Sequence, residues 1–341
     1  MLLLQRIDEW KSGSLCEIRF KVSMLYRSLN MSRSNVSFVL EPISMSLCCI
    51  VVLRNMFRSG KLSTISTTTR IGQYELGKTI GRGAFAEVKQ ATHMITKVQI
   101  ALKIVSRNRI SRSDTLSEML KREIQVLGML RHPHILRLYE VIETPSDLFL
   151  VMQLASGGEL FNYIRSNGKL QEEEARRLFQ QLVSALCYCH EHKNVHRDIK
   201  LENLLITTDG DLKLSGFGLA GLMQDGEFLQ MSCGPPIAAP EIVWGDPYAG
   251  PEVDCWSAGI VLYAMLAGSY PFDINELIRK RSARYKIDFP VHFSEDSQDL
   301  ISKMVCVDPI KRITFAEIRR HPWFMHHLPS HLDFGLDTCY G

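Results

Sequence analysis

The chain has 341 residues, 45% of them apolar and 23% charged, with a formal net charge of +3. This length allows two domains, or one large domain with tails, and the apolar share is enough for a sizeable core. Collagen-like, coiled-coil and wholly disordered chains are excluded, and +3 over this length carries no nucleic-acid signal.

The charge is uneven. Residues 1–70 hold 10 Lys and Arg against 4 Asp and Glu, a balance of +6, and the other 271 residues balance at −3. This basic leader, which also holds 16 Ser and Thr, is expected to be a poorly ordered extension. Met1-Leu2-Leu3-Leu4 is followed by Asp8 and Glu9, which argues against a signal or transit peptide. The most apolar stretch, Ile43–Leu53, has 11 residues, whereas a spanning helix needs about 20. Stable membrane insertion is therefore not expected. The nine cysteines include no C-x-x-C pair, so free thiols in a reducing compartment are expected, not disulfides or a zinc knuckle.

The texture changes near Ile71. Tyr74–Ile80, Val88–Thr92 and Val98–Val105 read as strands, the first two around Gly81–Gly83. Leu116–Leu130 carries apolar residues at helical spacing and stops before Pro133. Two more strands are predicted at Ile135–Ile142 and Leu148–Leu154, joined by the turn Thr144-Pro145-Ser146-Asp147. Helical patterns follow at Glu159–Ser166, Glu172–His192, Asp254–Ala267, Ser297–Val305 and Thr314–Arg320. Five strands with one helix, then mostly helices, predict an α+β architecture of two lobes around a cleft.

The stretch Gly81-Arg82-Gly83-Ala84-Phe85-Ala86-Glu87-Val88 is glycine-rich. A dinucleotide site would place a helix next and an acid about 20 residues on. Here a strand follows, and the residue at that distance is Lys103. A lysine on an inner strand needs a carboxylate to hold it, and Glu123 in the next helix can supply one.

Further on comes His196-Arg197-Asp198-Ile199-Lys200-Leu201-Glu202-Asn203. With the glycine hairpin, Ala101-Leu102-Lys103 and Ala239-Pro240-Glu241 in order, the chain resembles the eukaryotic protein kinases. The resemblance covers residues 71–324, with an N-lobe at 71–153 and a C-lobe at 154–324, leaving 325–341 as a short tail. Lys200 resembles the Ser/Thr branch. Leu160-Phe161-Asn162-Tyr163-Ile164, Cys233-Gly234 and His321-Pro322-Trp323-Phe324 resemble the SNF1/AMP-activated-like kinases of the calcium/calmodulin-kinase group.

The resemblance implies a protein serine/threonine kinase, a transferase using ATP and Mg²⁺. Ile80, Gly81 and Gly83 would lie over the nucleotide, and Lys103, held by Glu123, would contact its phosphates. Val88, Ala101 and Leu205 would sandwich the base, Met152 would be the gatekeeper, Gln153–Ala155 would bind adenine through the backbone, and Glu159 would meet the ribose. Asp198 would accept the substrate proton, Lys200 would steady the phosphoryl group, and Asn203 would hold a metal. Glu241 with Arg312, and Asp254, would be structural, as would Leu127, Leu138, His196 and Phe217 stacked as a spine.

The pattern breaks at Ser215-Gly216-Phe217-Gly218, where the family's metal-bridging aspartate is Gly216. Mg²⁺ binding is expected to be weakened or lost, at about 10²–10⁴ in rate. The usual phospho-acceptor threonine is Met231, leaving Ser232 as the activation-loop phosphosite, and a serine expected to bond Asp198 and Lys200 is Pro235. The alternative function is a pseudokinase scaffold that binds nucleotide or a partner. The partners implied are Ser/Thr protein substrates and an upstream kinase, without nucleic acid, in the cytoplasm or nucleus. Arg279-Lys280-Arg281 reads as a solvated face, and Glu172-Glu173-Glu174 as an acidic first helical turn.

Overall fold

The computed structural model describes residues 69–83, 86–224, 227–229, 238–271 and 287–332. The leader up to residue 68, Met231, Ser232, Cys233, Gly234 and Pro235, the Arg279–Arg281 run and residues 333–341 lie outside them.

The N-lobe is one antiparallel sheet of β1 (Arg70–Ile71), β2 (Tyr74–Arg82), β3 (Ala86–His93), β4 (Gln99–Ser106), β5 (Leu138–Glu143) and β6 (Asp147–Gln153), in the order β1-β2-β3-β4-β6-β5. Five strands were expected. The sixth, β1, is two residues long, too short to show a periodicity, and folds back on Tyr74 and Glu75 through Gly72 at φ +54°. β4 lies between β3 and β6, and its Ile100, Ala101 and Leu102 are buried.

After a four-residue helix α1 (Arg107–Ile110), α2 (Asp114–Met129) packs on this sheet. Ser113 caps it by accepting the Leu116 N–H at 3.2 Å. Its buried residues, Leu116, Leu120, Glu123, Val126 and Leu127, recur every three or four positions, so one carboxylate shares the apolar face.

The strand predicted from Ile135 begins instead at Leu138. The preceding residues are drawn toward the other lobe: Leu136 N–H donates to Leu214 O at 2.9 Å, and Leu214 N–H to His134 O at 2.8 Å.

The C-lobe is mainly helical. After the two-residue β7 (Gly158–Glu159) come α3 (Leu160–Asn167), α4 (Glu172–Glu191), α5 (Pro240–Trp244), α6 (Pro251–Ala267), α7 (Glu295–Met304), α8 (Phe315–Arg320) and α9 (Pro322–Met325). α6 is buried continuously from Val253 to Leu266, as an apolar helix without a polar face must be. It starts three residues before the predicted Asp254, with Pro251 at its first position. α8 begins with a capping box between Thr314 and Glu317.

Four short strands support the loops between lobes: β8 (Asn194–Val195), β9 (Leu204–Ile206), β10 (Leu212–Leu214) and β11 (Gly221–Leu222). β9 pairs with both β10 and β7, and β8 pairs with β11. Main-chain pairing thus fixes the segments that flank residues 196–203 and 215–219. Cys187, Cys189, Cys255 and Cys306 are free thiols.

Candidate active site

Lys103 lies on β4, opposite Val88 of β3 and Leu150 of β6. Its Nζ bonds both carboxylate oxygens of Glu123 on α2, each at 2.7 Å. Sequence places the two 20 residues apart; packing of α2 on the sheet closes the pair.

In the glycine hairpin, Gly81 pairs with Val88, and the ladder shifts register on either side of Thr79. Glu87 clasps the hairpin. It accepts from Thr79 Oγ1 at 2.6 Å and from Arg82 Nη2 at 3.0 Å. The Thr79 hydrogen bond, then Arg82 and Lys89, hold its carboxyl below the usual range, against a smaller opposing effect of burial. The sequence pattern did not reveal this clasp, because register shifts decide which side chains meet.

The expected base-contacting residues fall on neighbouring elements. Ala101 pairs with Met152, Gln153 ends β6, and Leu205 of β9 pairs with Glu159. Glu159 opens α3 and accepts from Asn162 Nδ2 at 3.1 Å. Burial, then the charge of Glu202, raises its carboxyl pKa.

Below the cleft, Asp198 is held on three sides. Lys200 Nζ bonds its two carboxylate oxygens at 2.8 and 2.9 Å, and Asn203 Nδ2 donates to its Oδ2 at 2.8 Å and its backbone O at 2.7 Å. Its N–H donates to His196 Nδ1 at 3.2 Å. Burial lowers the pKa of His196, and the neutral ring's Nε2–H then donates to Ser215 O at 2.9 Å.

Asp254 of α6 sits under this loop, fully buried. It accepts the N–H of His196 at 2.9 Å, the N–H of Arg197 at 2.8 Å and His190 Nε2 at 2.8 Å. Burial alone would raise its pKa; the His190 bond and charge, with the loop donors, outweigh that and hold it below the usual range. Arg197, at φ +64°, reaches Leu219 O at 2.7 Å, Ala220 O at 3.0 Å and the Tyr248 hydroxyl at 3.2 Å. His190 and Tyr248 carried no signal in the sequence, since single polar residues in helices and loops are common.

The Phe217 ring lies edge-on to His196, with centroids 4.6 Å apart, and Leu127 and Leu138 are buried in the same core. Glu241 and Arg312 form a buried pair at 2.6 Å. Asp211, upstream of the glycine break, is bound by Gln181 at 2.7 Å, away from Asp198.

Gly216 is left-handed, at φ +85° and ψ +38°. A Cβ there would lie 2.5 Å from Asn203 Cγ. Ser215 secures the same turn: its N–H and Oγ–H both donate to Asn203 O at 2.9 Å. On the far side, the next glycine's Cβ position is 3.5 Å from Met119 of α2. The glycine-containing loop thus touches both Asn203 and the helix that carries Glu123. Among the described residues, no cluster of three His, Cys, Asp or Glu could hold a metal ion.

The protein kinase domain family model matches residues 74–324. The chain is 46% identical over 284 residues to the SNF1-related protein kinase catalytic subunit alpha KIN12 of Arabidopsis thaliana, covering 82% of this chain and 57% of the relative. It is 50% identical over 264 residues to the serine/threonine protein kinases OSK3 and OSK4 of Oryza sativa, covering 76% of this chain and 51% of each relative. The chain therefore spans about half the length of the relatives it matches.

Proposed function

This chain belongs to the protein kinase family, in its SNF1-like branch, and we propose that it is a protein serine/threonine kinase that transfers the γ-phosphate of ATP to Ser or Thr of protein substrates. The observation that carries the reading is the paired assembly of Lys103 with Glu123 and of Asp198 with Lys200.

In this reading the substrate hydroxyl gives its proton to Asp198, its oxygen bonds the γ-phosphorus, and the bond to the bridging oxygen breaks to leave ADP. Lys103 binds the phosphates, and the hairpin of Ile80, Gly81 and Gly83 lies over the nucleotide. Val88, Ala101, Met152, Gln153, Ala155, Glu159 and Leu205 surround the nucleoside. Lys200 turns from Asp198 to the transferring group.

Kinases of this family generally use Mg²⁺, and its fit here is incomplete. Of the family's two metal-binding positions, Gly216 carries no side-chain ligand, and Asn203 offers one oxygen, Oδ1, while its Nδ2 donates to Asp198. We read the metal as weakly held.

The pseudokinase reading draws on Gly216 and the activation-loop changes, and the relatives named as kinases weigh against it. Ser232 is proposed as the site of an upstream kinase. The free thiols support a cytoplasmic or nuclear location. Among the described residues, no helix is long and apolar enough to cross a membrane.

The test is phosphate transfer by the purified full chain to a basic serine peptide, beside Asp198→Ala. Turnover well above that control is expected; turnover equal to it overturns the reading.

A further inference from the structure

Outside the nucleotide cleft, a cavity of about 360 Å³ forms where the loop after α2, the start of β5, the end of β6 and β10 meet. Its walls include Arg131, His132, Arg137, Tyr139, Gln153 and Lys213, and no acidic residue lines it.

The three cations reach it from two segments, Arg131 and Arg137 from the connection between α2 and β5 and Lys213 from β10, and each is positioned. Arg131 Nη1 donates to Leu127 O and Leu130 O, both at 2.9 Å, at the C-terminal end of α2. Arg137 lies over the Tyr139 ring, 5.7 Å from its centroid. Lys213 Nζ bonds Pro133 O.

Among the described residues, none of the three has a carboxylate within ion-pair distance. The carboxylate that acts on Lys213 from a distance, Asp211, is already taken by Gln181 and Arg177. Burial lowers the Lys213 pKa, the mark of a cation short of a counter-charge. His132 adds no charge at neutral pH, since burial, then His134 and Lys213, pull its pKa down to about 4.

We propose that this cavity is a second ligand site, one that binds a phosphate monoester. Three cations around one concavity exceed what a single carboxylate neutralises, whereas a doubly charged group with three terminal oxygens can engage all of them. The Arg137–Tyr139 stack offers a flat wall for the rest of the ligand. Gln153 ties the site to the segment joining the lobes, its N–H donating to Arg137 O at 2.8 Å.

The test is thermal melting of the full chain in millimolar sodium phosphate against sodium chloride of equal ionic strength. Phosphate should raise the melting temperature of wild type and, equally, of Lys103→Ala, which disables the nucleotide cleft. In Arg137→Ala/Lys213→Met, the apparent affinity should fall by about tenfold or more, because two charge-assisted bonds are lost. A phosphoserine peptide beside its unphosphorylated form separates the sources. A shift with inorganic phosphate alone supports a small ligand, and a shift with the phosphopeptide supports a phosphate carried on protein.

No phosphate shift in wild type overturns the proposal. So does an equal shift in the double variant, or loss of the shift in Lys103→Ala. If the double variant does not fold, Arg137→Glu at its exposed position must remove the shift; retention overturns the proposal.

Discussion

Asn203 fills the space beside Gly216: its amide group lies 2.5–2.6 Å from where a Cβ at position 216 would stand. The same amide donates to Asp198. A carboxylate cannot return to position 216 without moving a group that now holds the expected catalytic base.

Gly216→Ala adds the crowding atom without a ligand. Strain at φ +85° and the displaced Asn203 should cost about 1–3 kcal/mol, seen as a lower melting temperature. Gly216→Asp should meet the same cost and regain a metal ligand. It should melt below wild type without ligand, yet gain more from ATP when Mg²⁺ is added, with turnover rising by up to about 10²–10⁴. An Asp variant with wild-type melting and no added Mg²⁺ response contradicts the account.

Glu123→Gln keeps the shape of the Lys103 partner and removes its charge. Charge-assisted hydrogen bonds contribute about 1.5–3 kcal/mol, so kcat/KM for ATP should fall roughly 10- to 100-fold. Steady-state kinetics beside melting curves check this, and a wild-type rate refutes the role of the pair.

Ser215→Ala deletes one of two bonds to Asn203 O and leaves the backbone bond in place. The expected loss is about 0.5–1.5 kcal/mol of stability. Turnover should fall severalfold, because Asn203 then orients Asp198 less firmly. Unchanged turnover with reduced stability would make Ser215 structural only.

His132 predicts an acid-sensitive stability. Its folded pKa, about 4, lies below the unfolded value of about 6.5. Below 6.5 the unfolded chain binds the proton first, so stability present above that pH is lost as pH falls toward 4. The geometry agrees, because Nδ1 accepts the His134 N–H at 3.1 Å and cannot do so once protonated. His132→Gln should flatten the melting temperature between pH 6.5 and 4. The same slope in both proteins would place the sensitivity elsewhere.

Much of the site was legible because its signals are local. Gly81, Gly83 and Lys103 sit in a short strand–turn–strand stretch, and Asp198, Lys200 and Asn203 in one eight-residue motif that the kinase resemblance identifies. Glu123 was legible because a lysine on an inner strand needs a carboxylate and the next helix offers one; its place on the apolar face of α2 came from the structure. Strand β1 and the Ile135–Leu136 segment were misread because two residues show no period, and because long-range bonds to β10 override local preference.

The sequence by itself determined the two-lobed α+β order, the candidate catalytic side chains and the missing carboxylate at Gly216. Only the tertiary structure decided what surrounds them. Whether Lys103 meets Glu123, whether Asp254 lies under His196 and Arg197, and whether Asn203 crowds Gly216 depend on segments up to 58 residues apart packing together. Periodicity and turn chemistry act over a few residues. Contacts between distant segments are set by burial and close packing, which no local pattern encodes.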